Sequence, residues 1–428
     1  MTAGEELYKL VAELYPICRS ITGDGVRRTL EIVDREIGGL EVSEVPTGTQ
    51  VLDWTVPREW NVRDAWVANA AGERVIDFQA SNLHLVSYSV PVRTTMSLAE
   101  LKERLFILPD QPDLVPYRTS YYAERWGFCA SKRLVDSLPE GDYEVCVDST
   151  LADGHLTYGE RLVEGRTSDE VLVSCHVCHP SLANDNLSGI AVASRLARLL
   201  AEGPRPRHSY RFLFIPGTIG SITWLARNQD RVDRIRHGLV LSGVGDPGGF
   251  TYKRSRRGDA EIDRAVAHVL GRSGRPHRVV DFSPYGYDER QFCSPGFDLP
   301  VGRLSRTEFA TYPEYHTSAD DLDLVSPAQL QDSLEVCREV VAVLEGNRRY
   351  ENLSPRGEPQ LGRRGLYGSI GGRSDAEERQ MAMLWVLNQS DGGRSLLDVA
   401  ERSGLPLALL AEVAGLLEEA GLLAEIAG

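Results

Sequence analysis

The chain has 428 residues, 42% of them hydrophobic and 25% charged, with a formal net charge of -15. That length exceeds one ordinary domain, so two or three are expected, and the acidic balance excludes nucleic acid or an anionic membrane as the main partner. Seven scattered cysteines suit reduced thiols, the amino-terminal stretch lacks the basic start and apolar core of a signal peptide, and no run reaches the roughly 18 apolar residues of a membrane span; a cytoplasmic location is expected.

Residues 4–40 carry two helical patterns around the turn "CRSITGDG", the second from Val26 to about Ile37. From 41 to 115 the pattern becomes short alternating segments punctuated by Gly, Pro and Asn, which predicts a small β-rich insert domain. From about 140, the strand-like stretches "YEVCVDSTL", "HLTYGERLVEG", "EVLVSCHV", "SYRFLFIPG" and "HGLVLSGVG" are joined by the helical stretches "LSGIAVASRLARLLAEG" and "SITWLARNQD". Strands alternating with helices imply an α/β domain with a central, mixed but mostly parallel sheet flanked by helices, built from 1–40 and 116–350. Uniformly apolar runs such as "RFLFI" suit strands buried on both faces.

Residues 351–374 are rich in Gly, Pro and Arg and read as a linker. Residues 375–428 read as the three short helices of a winged-helix domain. This segment holds ten acidic and three basic residues, and Pro406 to Ala420 contains no Arg or Lys. A helix that reads DNA bases needs such side chains, so packing is the expected role.

The densest chemistry lies in "SCHVCHPSLANDNLSG", residues 174–189. His176 and His179 fall at the end of the strand "EVLVS", and Asp185 follows in the loop before the next helix. One such histidine alone would be an ordinary loop residue bonded to backbone. Two with an Asp within ten residues point to a cation, because α/β sheets bind ligands beyond their strand carboxyl ends and zinc accepts imidazole and carboxylate. Cys178 reads as a packed thiol. Further on, "GYDERQF" offers Asp288 and Glu289 to a substrate ammonium and Arg290 to a carboxylate through two parallel hydrogen bonds. Each, taken singly, fits an ion-paired surface loop equally well. "SYYAERWGF" is first a core stretch, with Tyr122 and nearby Arg118 within reach of a substrate. Arg19 and Ser20, in "RSITGDG", belong first to a turn and helix cap.

These stretches, with "VPREWNVRDAWV", "FIPGTIGSITWL" and "YHTSADDLD", carry a resemblance that runs over nearly the whole chain. "HVCHPSLANDNLSGIAVASRLARLL" resembles the metal loop of zinc aminopeptidases of the leucyl aminopeptidase and glutaminyl cyclase type. More specifically, the chain is similar to a bacterial aminopeptidase-like family with an inserted β domain and a C-terminal winged helix. The resemblance implies Asp185 and His316 as metal ligands, with His176 or His179 as the remaining histidine. Two histidines and one Asp leave a position for water, which marks a catalytic zinc, one per chain. The wider group has paired glutamates where this chain has Gly217 and Thr218, and an Asp near Ser242, so a second metal is not expected.

The general base is then open among Glu289, Glu308 and Glu314, with Glu289 first. The resulting expectation is a metal-dependent hydrolase that cuts an amide beside a free amino group, in a peptide or an aminoacylated small metabolite. Two alternatives stand beside it: an amide-forming or cyclising enzyme on the same fold, and a binding protein that has lost its base at Gly217. No nucleic-acid or membrane partner is expected, and self-association is left open. With Gly at 217, slow turnover of simple aminoacyl amides is expected, and Gly217→Glu is expected to raise it.

Overall fold

The apolar runs become the centre of a large sheet. In the computed structural model, which describes residues 2–366 and 376–426, eight strands form it. They are β1 (Glu41–Pro46), β2 (His155–Val163), β3 (Glu170–His176), β4 (Ser209–Ile215), β5 (Ile235–Leu241), β6 (Phe250–Lys253), β7 (His277–Val280) and β8 (Val301–Ser305). The spatial order is β1-β2-β4-β3-β5-β8-β6-β7. The central run β4-β3-β5-β8 is parallel, while β1, β2 and the β8–β6 pair are antiparallel. Strands β3, β4 and β8 are buried along their whole length, as parallel strands covered on both faces must be. Helix Gly189–Glu202 covers one face with Ile190, Ala193, Leu196 and Ala197, and ends at Gly203.

A second, four-stranded antiparallel sheet has the order Arg74–Asp77, Glu59–Ala68, Asp142–Ala152, Val92–Ser97. Its membership differs from the expected insert at both ends. "YEVCVDSTL" joins this sheet rather than the large one: Tyr143, Val145 and Val147 are buried while Asp142 and Glu144 are exposed, the period-two pattern of a strand with one wet face. "LEVSEVP" goes the other way and pairs with β2 at the edge of the large sheet. The β-rich stretch therefore does not end at 115.

The chain divides into two units, residues 1–260 with 275–335, and 261–274 with 336–428. In the second, helices Ala376–Gln389, Leu396–Ser403 and Leu407–Glu419 accompany a three-stranded antiparallel sheet. Ser395 and Asp398 form a capping box at the start of the middle helix, and Gly404, at φ 71°, ends it. The central strand of the small sheet is Arg349–Asn352, between Asp391–Ser395 and Leu423–Ile426. Winged-helix structure thus begins before the expected start at 375. Strand formation by "RYEN" also takes the front of the expected linker, whose residues 367–374 lie outside the described residues. No helix among the described residues is long and apolar enough to cross a membrane.

Candidate metal centre

The parallel run delivers its carboxyl ends to one place, which is where α/β sheets bind ligands. His176 ends β3, Gly217 follows β4, Ser242 follows β5, and Arg303 and Ser305 close β8. Beyond β3 the chain turns through His179 and returns Asp185 beneath it. The Asp185 carboxylate is buried and meets three imidazoles. His176 Nε2 lies 2.9 Å from Oδ1, His179 Nδ1 3.3 Å and His316 Nε2 3.0 Å from Oδ2. His176 Nε2 and His179 Nδ1 are themselves 3.2 Å apart. Both loop histidines therefore face Asp185, and the structure brings together all four residues read from the sequence as metal ligands.

The donor set fits a metal ion. Tetrahedral zinc with bonds of about 2.0–2.2 Å holds its ligand atoms about 3.3–3.6 Å apart, and the spacings of 2.9, 3.2 and 3.3 Å lie at or just under that range. The donors of His176, His179 and Asp185 all lie within 4.8 Å of one another. Burial alone would push the Asp185 carboxyl up, but the positive and hydrogen-bonding faces of the three histidines hold it well below the usual range. Burial lowers the His176 and His316 imidazoles, which favours the neutral form that binds metal.

A second layer fixes these groups. Asp320 accepts from the backbone N–H of Asn184 at 2.6 Å and of Asp185 at 3.0 Å. Asp246 accepts from Asn184 Nδ2 at 3.1 Å. Buried Arg19 donates to the carbonyls of His179 (2.7 Å) and Pro180 (2.9 Å), so the turn residue of the sequence reading braces the loop that carries His179 and Asp185. Tyr287 stacks on His176 at 4.5 Å and donates to Asp185 Oδ2 at 2.7 Å, while Tyr315 stacks on His316 at 3.9 Å. His316 itself sits at φ 55°, a left-handed conformation costly for a residue with a Cβ. Cys178 is buried with its Sγ 3.6 Å from the Gly217 carbonyl, away from the donor cluster, and burial pushes its thiol up to about 12.

His179 and His316 also form part of the lining of a cleft of about 270 Å³. Gly217, Thr218, Tyr122 and Arg290 line it too, whereas Arg118 is exposed and outside the lining. The adjacent acids of "GYDER" part company. Glu289 is fully buried and pairs with Lys253 Nζ at 2.9 Å and Arg303 Nη1 at 3.6 Å, so the expected first choice for a base is committed to a structural ion pair. Glu308 pairs with Arg278 at 2.7 Å. Asp288 is also buried, but only Oδ1 is bonded, by Ser221 Oγ at 2.7 Å; Oδ2 has no hydrogen-bond partner. Burial pushes this carboxyl up to about 7, against the lowering effect of Ser221. A Cβ at position 217 would stand 3.2 Å from Asp288 Oδ2 and 3.2 Å from His176 Cβ. Glycine at 217 therefore leaves Asp288 unobstructed from that side.

Sequence reading did not single out Asp246, Asp320, Tyr287 or Tyr315. Only their neighbourhood, in "GVGDPGG", "HTSADD", "GYDER" and "PEYH", carried a signal. Among known proteins, residues 8–347 match the family model described as Domain of unknown function (DUF4910), and residues 348–425 match a winged helix-turn-helix model. A Clostridium acetobutylicum protein, provisionally named for polysaccharide biosynthesis with an aminopeptidase-like domain, is 52% identical over 402 residues, 94% of this chain and 92% of its own. The crystal structure of a provisionally named peptidase from Clostridium acetobutylicum is 49% identical, with a TM-score of 0.94 over 99% of this chain and 96% of that one. A zinc aminopeptidase from Bacillus subtilis shares the fold, with a TM-score of 0.56 and 14% identity over 80% of this chain and 94% of its own.

Proposed function

The chain belongs to the DUF4910 family, and from that premise we propose that it is a one-zinc hydrolase of amide bonds next to a free amino group. The observation that carries this reading is the convergence of His176, His179 and His316 on buried Asp185 beside an open cleft. Asp185, His316 and one of His176 or His179 would hold the metal and leave one position for water. When bound, zinc supplies a Lewis acid for a carbonyl and lowers the pKa of water toward about 7.

The chain's own groups supply the rest. Asp288, with Oδ2 unpartnered beside Gly217, takes the proton from the attacking water and returns it to the leaving amine. Gly217 is then no lost base but the gap through which Asp288 works, and the ion pair of Glu289 removes that residue from the chemistry. Arg290 faces a carboxylate of the substrate and Tyr122 its apolar surface. A cleft of about 270 Å³ suits a small molecule. The name of the Clostridium acetobutylicum relative, which joins an aminopeptidase-like domain to polysaccharide biosynthesis, favours an aminoacylated metabolite over a long peptide. The winged helix serves packing or assembly rather than DNA, since Leu407–Glu419 has no basic side chain. Mass spectrometry of a panel of aminoacyl amides, with and without chelator, tests the reading. Hydrolysis that stops with chelator and returns with zinc is expected; turnover untouched by metal removal would refute it.

A further inference from the structure

The mouth of the cleft is built from large apolar rings left in water. Trp54 is 45% exposed, Tyr122 53% and Tyr285 71%, and all three line the same cleft. Trp54 and Tyr122 lie with ring centroids 5.4 Å apart at 55°, forming an open V. Tyr122 is held there at φ 63°, a left-handed conformation unfavourable for a residue with a Cβ. Folding normally offsets such strain by burial, yet here it holds a ring half out in solvent. Exposed aromatic faces beside a polar site are ligand platforms.

The charge of the lining is equally specific. No Asp or Glu is among the described residues that line the cleft, and Arg290 is its one permanently charged side chain. Its Nε is buried without a hydrogen-bond partner, and Arg290 makes no ion pair among the described residues. A guanidinium in an aromatic cleft with a buried N–H that lacks an acceptor and no ion-pair partner is an anion site, because a carboxylate or phosphate supplies the missing acceptor through a charge-assisted hydrogen bond.

We propose that the cleft selects amides whose leaving amine is a ring-bearing acid, the ring stacking on Trp54 and Tyr122 and its carboxylate or phosphate pairing with Arg290. This rests on the hydrolase reading above: the amide C–N bond breaks, water gives its hydroxyl to the acyl carbon, and its proton goes to the ring-bearing amine. The ring and anion occur together in an aminoaryl acid and in an amino-sugar phosphate, so both sources are tested. The probes are L-alanyl-4-aminobenzoate, L-alanyl-glucosamine 6-phosphate, their counterparts without the anion (L-alanyl anilide and L-alanyl-glucosamine), and L-alaninamide.

The expected result is a higher kcat/KM for an anion-bearing ring amide than for its anion-free counterpart, and for that counterpart than for L-alaninamide. Arg290→Met should cut the first ratio about tenfold or more. Trp54→Ala and Tyr122→Ala should each cut the second about three- to tenfold. Ratios near one in the wild type, or unmoved by the variants, would overturn the proposal, and the better of the two anionic substrates identifies the source. If no amide is cleaved, the hydrolase reading fails separately. Calorimetry of 4-aminobenzoate and glucosamine 6-phosphate with zinc-loaded protein then decides the matter. Binding of either that is lost in Arg290→Met supports the cleft's selectivity, and no binding of either at millimolar concentration overturns it.

Discussion

The loop after β3 and the segment from Tyr285 to Arg290 both supply acids to the same neighbourhood, but they do so in opposite ways. In the first, His176, His179 and Asp185 all turn toward one point. In the second, neighbours in sequence face different worlds: Glu289 is locked between Lys253 and Arg303, while Asp288 keeps one oxygen free beside Gly217. A cluster of ligand types announces itself by spacing alone. The direction of a single carboxylate depends on what the rest of the fold places around it, and that is a tertiary fact.

The contrast between Asp288 and Glu289 is the easiest to break. Asp288→Asn should lower turnover of a good aminoacyl amide by about a hundred- to ten-thousand-fold, the range for loss of a positioned proton acceptor. Steady-state kinetics with zinc content measured in parallel checks this, since the metal should stay. Glu289→Gln should instead act on the fold. It leaves Lys253 and Arg303 with an uncompensated buried charge, at a cost of about 3–5 kcal/mol read by chemical denaturation. Equal behaviour of the two variants would erase the distinction.

Proton linkage sharpens the same comparison. In the metal-free protein the Asp288 carboxyl, moved from 3.8 to about 7, is protonated when folded and ionised when unfolded across that window. Its contribution to stability is therefore lost as pH rises from about 4 to 7, on the order of 2–4 kcal/mol in all. Asp288→Asn should remove that slope in denaturation midpoints measured across the window. Gly217→Ala should do less. Its Cβ meets both Asp288 Oδ2 and His176 Cβ at 3.2 Å, so a stability loss of about 1–3 kcal/mol is expected, with weaker turnover. For the same reason Gly217→Glu is now expected to lower turnover rather than raise it: the added chain would crowd His176 and set a second carboxylate against Asp288. The smallest effect belongs to the second unit. Its residues should give no salt-sensitive retention of duplex DNA by the full chain at micromolar concentration in a binding titration.

Much of the large sheet was legible because its strands are either uniformly apolar, as in "RFLFI", or end in a conspicuous polar turn. The edges were not. "YEVCVDSTL" alternates and joined the antiparallel sheet, and "RYEN", short and polar, became a strand through partners about 40 and 70 residues away in sequence. At the site, His176, His179, Asp185 and His316 were readable from motif and resemblance. Tyr287 and Asp320 were not, because a tyrosine or aspartate that holds a ligand in place has no spacing rule of its own; only packing reveals it.

The central claim is that Asp185 and the three histidines around it are a metal centre and not a buried hydrogen-bond cluster. Elemental analysis of zinc in the wild-type protein and in His316→Ala, after zinc loading and exhaustive dialysis, tests it most directly. About one zinc per wild-type chain and loss of most of it in the variant is predicted. A wild-type protein that retains no zinc, or two, or a variant that retains as much as the wild type, would contradict it.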